Sequence, residues 1–518
     1  MAEKKYLIGI DVGTTGTKAM IFDADAAVLG VGYREYLAKN PKPDWFEFDA
    51  EEVISLTFDA CQDAVAESGL DPRDIVAVSF STQRSTVGFV DEDNRVVDNI
   101  LYSWQDNRAV EEVEFQKSIM PEDELTKITG MPVTTTYCIS NILWFKKNKP
   151  EEYKRTKKIV LLSDLLMRRF GADDYYCDWG NASCSGIFDM WGQDWHRGLI
   201  EKFGLEYEMF SIPVPGGKNL GNVSKEAAEK SGLSTDTILI AGSGDQSCGA
   251  LGAGVIKPGL AEMTIGTAGH LISFLEEPIV NEQVFKMMSV NGAIPGKYEI
   301  NGIQLSAASI YRWFRDTVAV IEKHTAKELG VDPYVLMDNL VKQSPPGANG
   351  LVLLPYFASA GCPVWDVQAT GALIGLTFMH TKGDMARAFM EGCMYEMREI
   401  VETMEQAGID IKELNITGGA SKSATWRQIM ADILNIPLKM LVVSDATVLG
   451  AAILAGYGCG MFKTPQEGAE RMVKFSEKVT PIKENVEKYN RYYQVFKSIY
   501  KGLKQENVFE AMAMARES

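Results

Sequence analysis

The segment from Leu7 to Asp23 constrains the fold more than any other part of the chain. Its sequence, LIGIDVGTTGTKAMIFD, has two apolar runs on either side of a turn rich in glycine and threonine. Short apolar runs bounded by turn residues predict the two strands of a β-hairpin. Gly13 and Gly16 let a ligand approach the backbone closely, and the N–H and hydroxyl groups of such a loop can surround phosphate oxygens. Taken alone, the pattern fits an ordinary solvated hairpin equally well.

One carboxylate, Asp11, lies where the first predicted strand meets this loop. Carboxylate oxygens are ligands that Mg²⁺ accepts, either directly or through water. We therefore expect Asp11 to help hold a magnesium ion if the loop binds phosphate.

Length and composition limit the classes of partner. A chain of 518 residues exceeds a single core and predicts about two to four domains. The net charge is −18, with 52 basic and 70 acidic residues, which argues against binding to a nucleic-acid backbone.

The eight cysteines form no Cys-x-x-Cys pair, and the four histidines have no metal-binding spacing. With no signal-peptide pattern and no long apolar run, we expect a cytoplasmic protein without a membrane partner.

Two polar clusters follow predicted strands, at positions where α/β sheets bind ligands. Trp104 offers an apolar face to the C–H groups of a sugar, while Gln83, Arg84 and Asp106 offer partners for its hydroxyls. The alternative is that Arg84 and Asp106 form a structural ion pair.

Asp245 lies in a glycine-flanked turn after the strand predicted to end at Gly242. The small neighbours leave room for a substrate, and a carboxylate so placed suits accepting a proton from an attacking hydroxyl. The alternative is a helix N-cap, a position that aspartate favours, and the two roles can coexist.

The second half contains a strand, a Gly-Thr loop and a strand over Ala261–Phe274, directly after a boundary at Lys257-Pro258-Gly259. This arrangement repeats that of the opening segment and predicts two phosphate-binding hairpins in two related domains. Further on, Gly418 and Gly419 open a predicted helix, where a flat adenine could lie against the backbone. A plain turn between strand and helix is the alternative.

Three helices are also predicted from local signals. Asp49 caps a helix over Ala50–Ser68, and Asp384 caps a long helix that runs at least to Met404. The small residues of Leu449–Gly456 predict a helix suited to close packing.

Five motifs in this order resemble the FGGY family of carbohydrate kinases over nearly the whole chain. They are the loops around Asp11–Lys18, Gly242–Gln246 and Gly266–Gly269, the signature from Gly371 to Glu391 (with Phe389 in place of a smaller or β-branched residue) and Gly418-Gly419-Ala420. The resemblance implies an α/β fold with two ribonuclease H-like (actin-type ATPase) domains and a cleft between them. It assigns residues 1–256 to a sugar-binding domain with the catalytic base, and residues 257–518 to an adenosine-binding domain.

The same resemblance implies roles for individual residues in an ATP- and Mg²⁺-dependent sugar kinase. Asp245 is the implied base, and Asp11 and Asp245 are the implied metal-binding residues. The implied substrate-binding residues are Gln83, Arg84, Trp104, Asp106, Asp245 and Gln246. The implied nucleotide-binding residues are Asp11, Gly13, Thr14, Thr15, Thr17, Lys18, Gly266, Thr267, Gly418, Gly419, Ala420 and Ser423.

The substrate is less well defined. The first loop is similar to that of xylulokinases, whereas Thr82-Gln83-Arg84 is similar to glycerol kinases. The region around Arg312–Asp316 resembles kinases of the signal autoinducer-2. We expect a xylulose-like ketopentose first, with autoinducer-2 or a polyol as alternatives, and the sequence leaves a homodimer open. A non-catalytic ATP-binding protein of the actin fold is the alternative from a different class.

Overall fold

The computed structural model describes residues 5–517, which form two compact units. The first unit comprises the chain up to Lys257 together with Phe274–Ile300 and Asp445–Lys474. The second comprises Pro258–Ser273, Asn301–Ser444 and the chain from Phe475 onward. Two segments beyond residue 257 therefore pack with the first unit, although the sequence-based partition assigned them to the C-terminal domain. Within residues 5–517, every helix is too short or too polar to span a lipid bilayer.

The strands of both units are short, as their bounds show. They are β1 (Tyr6–Val12), β2 (Gly16–Phe22), β3 (Val28–Glu35), β4 (Glu47–Asp49), β5 (Ile75–Thr82), β6 (Val87–Val90), β7 (Ile100–Tyr102), β8 (Lys158–Leu161), β9 (Tyr176–Asp178), β10 (Phe188–Asp189), β11 (Asp194–Trp195), β12 (Ile212–Val214), β13 (Asn219–Asn222), β14 (Ile238–Gly244), β15 (Leu260–Ile265), β16 (Gly269–Leu275), β17 (Met288–Asn291), β18 (Tyr298–Gln304), β19 (Val352–Leu354), β20 (Ala372–Ile374), β21 (Glu413–Thr417), β22 (Leu438–Leu441) and β23 (Phe475–Val479).

The α-helices vary more in length. They are α1 (Ala50–Ser68), α2 (Val110–Ile119), α3 (Glu122–Thr129), α4 (Cys138–Asn148), α5 (Pro150–Arg155), α6 (Leu162–Phe170), α7 (Trp179–Ser183), α8 (Arg197–Lys202), α9 (Lys225–Ser231), α10 (Asp245–Gly252), α11 (Ala308–Thr317), α12 (Val320–Leu329), α13 (Pro333–Lys342), α14 (Lys382–Gln406), α15 (Ala424–Leu434), α16 (Ala446–Gly458), α17 (Pro465–Met472), α18 (Lys483–Gln505) and α19 (Val508–Glu517).

A mixed sheet organises the first unit, with strand order β13-β14-β5-β1-β2-β3. Strands β14, β5 and β1 run parallel, whereas β1-β2, β2-β3 and β13-β14 are antiparallel pairs. The parallel strands are buried almost throughout, as expected of strands covered on both faces. Their C-terminal ends therefore meet at one edge, where ligands bind in sheets of this kind.

The second unit repeats this arrangement. Its strands β16-β15-β21-β22-β23 are neighbours in that order, with β15, β21 and β22 parallel and the outer pairs antiparallel. Hairpin β15-β16 thus corresponds to β1-β2, and β21 and β22 correspond to β5 and β14. The internal repeat predicted from the two Gly-Thr loops is confirmed at the level of strand order.

Local capping signals explain where α1 begins and ends. The carboxylate of Asp49 accepts the N–H of Glu52 at 3.1 Å, and Gly69 ends the helix in the left-handed region with φ of 63°. The predicted bounds of α1 are confirmed. The prediction for α14 is wrong in one detail, because Thr381 is the cap and Asp384 completes a capping box by accepting the N–H of Thr381 at 2.8 Å.

Small residues let α16 lie close to α10 in the first unit. A Cβ atom at Gly450 would lie 1.9 Å from the carbonyl oxygen of Cys248, and one at Gly252 would lie 1.9 Å from that of Ala446. Contacts this close exclude any larger residue, so the close packing predicted for this segment is confirmed. Because α10 begins at Asp245, this packing also fixes the backbone that carries the predicted base.

Candidate active site

The loop between β1 and β2 is held from outside the hairpin. Its own turn closes through the N–H of Gly13, which donates to the carbonyl oxygen of Gly16 at 2.9 Å. The carbonyl oxygen of Gly13 then accepts hydrogen bonds from the amide of Gln83, at 2.9 Å, and from the hydroxyl of Tyr36. Gln83 is 2% exposed and also accepts the hydroxyl of Thr86. The structure therefore makes Gln83 a support of this loop with almost no exposed surface, and its role in sugar binding stays a prediction.

The carboxylate of Asp11 lies at the end of β1, opposite Ser81 of β5. The hydroxyl of Ser81 donates to Asp11 Oδ1 at 2.6 Å. Burial raises the pKa of Asp11 to about 7, and the negative charges of Asp245 and Asp445 contribute in the same direction. A carboxylate with poorly compensated charge next to two others suits a site for a cation.

The other predicted residues of this loop differ in their surroundings. Thr14 accepts the indole N–H of Trp104 at 3.0 Å, which joins the first loop to a predicted sugar contact. Thr15 is exposed, and Lys18 forms an ion pair with Asp445. Thr17 is 0% exposed in β2, so its side chain has no free surface here and its role as a nucleotide contact stays a prediction.

Asp245 is the first residue of α10, and Gly244 occupies the capping position before it. The predicted N-cap alternative for Asp245 is therefore wrong. Its Oδ1 atom accepts the N–H of Gln246 at 2.8 Å and lies 3.6 Å from Nε of Arg84. Its side chain keeps 27% of its surface exposed, whereas that of Arg84 keeps 12%. Burial raises the pKa of Asp245, and the charge of Arg84 opposes this change.

Glycine is required beside this pair. A Cβ atom at Gly244 would lie 2.7 Å from Cδ of Arg84, so a side chain there would displace the guanidinium group from Asp245. The glycine pattern around Asp245 thus reflects the close approach of Arg84 as well as the turn.

Asp106, a predicted sugar contact, is buried and paired with an arginine, and its role in sugar binding stays a prediction. It is 0% exposed and forms a bidentate ion pair with Arg108, with distances of 2.8 Å to both Nε and Nη2. It also accepts the N–H of Phe46 at 2.7 Å. The alternative of an ion pair between Arg84 and Asp106 is wrong as well, because each residue has a different partner.

Sequence reasoning missed the buried polar residues around Arg84. Its Nη1 atom lies 3.4 Å from Sγ of Cys184, and the amide of Asn181 donates to Asp178 at 2.7 Å and to Thr82 at 3.0 Å. Burial raises the pKa of Asp178 to about 6. No local pattern marks these residues, because they follow Thr82 and Arg84 by about a hundred positions.

The corresponding loop of the second unit is tied to the start of α11. The N–H of Gly266 donates to the carbonyl oxygen of Ala268 at 3.0 Å and closes the turn. The N–H groups of Ala307 and Ala308 donate to the carbonyl oxygens of Thr267 and Gly266, at 3.0 and 2.8 Å. Both predicted phosphate contacts, Gly266 and Thr267, thus lie in a loop whose backbone is fixed.

A cavity of about 320 Å³ lies in the second unit beside the glycine pair. Its lining includes three predicted nucleotide-binding residues, Gly419, Ala420 and Ser423. Gly418 has φ of 83°, and a Cβ there would lie 2.6 Å from the carbonyl oxygen of Ile265, so only glycine fits. A Cβ at Gly419 would meet no atom within 4 Å, so the second glycine is not required by packing. The remaining lining residues were not predicted: Ala308, Tyr311, Asp332, Tyr334, Val335, Asp338, Lys422 and Trp426.

The duplicated mixed sheet, with a Gly-Thr hairpin in each unit, has the architecture of the actin-type ATPase group. Two family models match the chain, one for the N-terminal domain of FGGY carbohydrate kinases at residues 6–252 and one for the C-terminal domain at residues 261–459. The protein belongs to the FGGY family of carbohydrate kinases.

Individual relatives agree with this family. The chain is 30% identical over 502 residues to a xylulose kinase of Staphylococcus epidermidis, covering 97% of this chain and 98% of the relative. It is 29% identical over 506 residues to an autoinducer-2 kinase of Escherichia coli, covering 96% and 94%. A crystal structure of xylulose kinase from Rhodospirillum rubrum aligns with a TM-score of 0.88 at 25% identity, covering 98% of this chain and all of that one.

These similarities confirm the predicted family, the α/β fold with two ribonuclease H-like domains, and the assignment as a sugar kinase. A kinase of this family uses a sugar and ATP as its substrates. The roles of single residues stay predictions.

Proposed function

We propose that this kinase transfers the γ-phosphate of ATP to a hydroxyl of a ketopentose related to xylulose, with Asp245 as the general base. The observation that carries the proposal is the environment of Asp245. Its carboxylate is partly exposed, is oriented by the N–H of Gln246 and lies beside Arg84. Asp106, the other acidic residue predicted to contact the sugar, lacks an exposed carboxylate because it is fully buried.

The chemistry needs one proton transfer and one phosphoryl transfer. A carboxylate oxygen of Asp245 takes the proton of the sugar hydroxyl as its oxygen forms a bond to the γ-phosphorus. The bond between that phosphorus and the β–γ bridging oxygen breaks, and ADP leaves with the electron pair. Burial raises the pKa of Asp245, which makes it a stronger base than an ordinary aspartate, while the charge of Arg84 favours its ionised form.

We assign Mg²⁺ binding to Asp11 and Asp245. Asp11 is the residue on which this assignment rests. Burial and neighbouring negative charges raise its pKa to about 7. A divalent cation beside the carboxylate would compensate that negative charge. Among residues 5–517 no group of three or more potential metal-binding side chains exists, so phosphate oxygens and water would complete the coordination. When bound, the ion neutralises charge on the phosphates.

Arg84 and Trp104 are the residues we assign to sugar binding. Arg84 can donate to sugar hydroxyls, because its nearest carboxylate oxygen among residues 5–517, Oδ1 of Asp245, lies 3.6 Å from its Nε atom. Trp104 keeps 37% of its surface exposed and its indole N–H engaged by Thr14, so its ring is available to sugar C–H groups. We place Gln83 among the supporting residues.

Autoinducer-2 is the second candidate substrate. The similarity to autoinducer-2 kinases, at 29% identity, nearly equals the similarity to xylulose kinases, at 30%. The xylulose-type substrate ranks first because the loop Thr14-Thr15-Gly16-Thr17-Lys18 is similar to that of xylulokinases.

The decisive experiment measures ADP formation with a panel of acceptors: D-xylulose, other pentuloses, hexuloses, glycerol, erythritol, gluconate and autoinducer-2. We expect the largest kcat/KM for a pentulose. A larger value for autoinducer-2 or a polyol would replace the proposed substrate and leave the kinase assignment unchanged.

Two variants test the assigned roles. Asp245→Asn should retain ADP binding and lose turnover by about 10³-fold or more, because it removes the proton acceptor. Arg84→Ala should raise the KM of the sugar and leave the KM of ATP unchanged. Near-normal turnover of Asp245→Asn would contradict the base assignment, and an unchanged sugar KM in Arg84→Ala would contradict the binding assignment.

A further inference from the structure

Three buried polar atoms belong to residues that line the cavity of the second unit and have no hydrogen-bond partner among residues 5–517. They are Oδ1 of Asp338, the hydroxyl of Tyr311 and the indole nitrogen of Trp426. A buried polar group without a partner costs roughly 1–3 kcal/mol. Three such groups around one cavity are therefore expected where a polar ligand completes the site.

Asp338 differs from the other two because its oxygens have separate roles. Oδ2 accepts the hydroxyl of Ser423 at 2.6 Å, and that hydroxyl oxygen in turn accepts the N–H of Trp426 at 3.1 Å. Ser423 thus caps α15, and the single proton of its hydroxyl is used by Asp338. Oδ1 of Asp338 remains as a single acceptor on a side chain whose orientation is fixed by this bond. Burial raises the pKa of the Asp338 carboxyl, so a donor from a ligand would stabilise its ionised form.

The rest of the lining suits a flat heteroaromatic ring. Tyr311 and Tyr334 stack with 5.8 Å between ring centroids, and Trp426 meets Tyr311 edge-on at 5.2 Å. The backbone of Gly419 borders the same cavity without a side chain. Aromatic side chains and an open glycine backbone are typical surfaces for the face of a nucleobase.

We propose that Asp338 selects the purine of the phosphate donor by accepting a hydrogen bond from the exocyclic 6-amino group of adenine. The inference rests on the proposed function only in taking a nucleoside triphosphate as the donor. A 6-oxo group, as in hypoxanthine or guanine, would place a second acceptor against the carboxylate and leave both unpaired. Asp338 is therefore a specificity-determining residue for ATP over ITP and GTP.

Binding of nucleoside diphosphates tests this without a sugar and without turnover. Titration calorimetry of the full-length protein with Mg²⁺ compares ADP, IDP, GDP and purine riboside 5′-diphosphate, which lacks the 6-amino group. We expect ADP to bind about tenfold to a hundredfold more tightly than purine riboside diphosphate, because a hydrogen bond to a charged group is lost. IDP and GDP should bind more weakly still. Equal affinities for ADP and purine riboside diphosphate would overturn the proposal.

A matched variant sharpens the test. Asp338→Asn keeps the shape of the side chain and can still accept the hydroxyl of Ser423, and its amide NH₂ can donate to a 6-oxo group. We expect the ratio of IDP to ADP affinity to rise by at least about tenfold in this variant. Glu328→Gln, which removes one negative charge from the exposed surface of α12, should keep the wild-type ratio. An unchanged ratio in Asp338→Asn, with binding of both nucleotides retained, would overturn the proposal.

The outcomes separate this inference from the proposed function. A failed acceptor screen would leave the nucleotide affinities interpretable, because they require no acceptor. If Asp338→Asn does not fold, the wild-type comparison of ADP with purine riboside diphosphate decides alone. Tighter binding of IDP or GDP than of ADP would overturn the role of Asp338 and replace ATP as the preferred donor.

Discussion

The two Gly-Thr hairpins share a backbone plan but differ in the side chains at the entrance to the loop. In the first unit, Asp11 of β1 faces Ser81 of β5, which donates to it at 2.6 Å. In the second unit, Thr264 of β15 faces Thr417 of β21, and their hydroxyl oxygens lie 2.7 Å apart. The same pairing position thus carries a carboxylate in one hairpin and a hydroxyl in the other. Of these two positions, only the one in the first hairpin carries the negative charge that our proposed magnesium site requires.

The second hairpin keeps a carboxylate two residues earlier, at Glu262. This side chain is 2% exposed and accepts hydrogen bonds from the hydroxyls of Thr264 and Thr417. The corresponding residue of the first hairpin is Gly9, where a Cβ would lie 2.1 Å from the carbonyl oxygen of Val448 in α16. In the first unit, Gly9 at this position allows close packing against α16. In the second unit, Glu262 at this position links Thr264 of β15 to Thr417 of β21. The two hairpins therefore share one topology, but different residues at matching positions give them different interactions.

The largest expected effect concerns the loop entrance. Asp11→Asn should lower kcat by about 10³-fold, because it removes the charge assigned to the metal ion and phosphates. Thr264→Val, the matched change in the second hairpin, should lower kcat tenfold or less. Steady-state kinetics with the acceptor identified by the screen checks both. Equal losses in the two variants would show that the two hairpins contribute alike to catalysis.

Gly9→Ala should destabilise the first unit by about 3 kcal/mol, because the new methyl group collides with the backbone of α16. Gly13→Ala is the matched control, since a Cβ there would meet no atom nearer than 3.6 Å. Thermal unfolding of both variants measures the difference. A Gly9→Ala variant as stable as Gly13→Ala would mean that α16 can move away from the strand.

Glu262→Ala should destabilise the protein by about 2 kcal/mol, because the hydroxyls of Thr264 and Thr417 lose their common acceptor. Glu262→Gln retains one acceptor oxygen and should cost less. Denaturant titrations of the two variants provide the measurement. Similar losses for alanine and glutamine would indicate that charge, and not hydrogen bonding, holds the two strands.

The last expected effect is a pH dependence of stability. The pKa of Asp11 is about 7 in the folded state, above the value of about 4 expected when unfolded. The folded state therefore holds a proton that the unfolded state releases, and the stability contributed by Asp11 falls as the pH rises from about 4 to about 7. Asp11→Asn removes this titration, so its stability relative to wild type should rise between pH 5 and pH 8. A gain that does not grow with pH would contradict this pKa shift.

Local sequence patterns predicted several parts of this molecule correctly. The bounds of α1 follow from Asp49 and Gly69, and the hairpin strands follow from apolar runs around Gly-Thr turns. The pair Gly418-Gly419 predicted a loop open to a ligand, and Gly419 does border a cavity. These features depend on backbone conformations that a few neighbouring residues determine, so one sequence window is enough to predict them.

The partners of polar side chains were decided by the tertiary structure alone. Arg84 lies beside Asp245 and not Asp106, Gln83 supports the loop at Gly13, and Asp338 lies in a cavity with residues of α15. Each of these pairs joins residues about 70 or more positions apart in the chain. The sequence determined which side chains could bind phosphate, sugar or base. Which of them remained available to a ligand depended on the packing of distant strands and helices, because burial and pairing are properties of the whole fold.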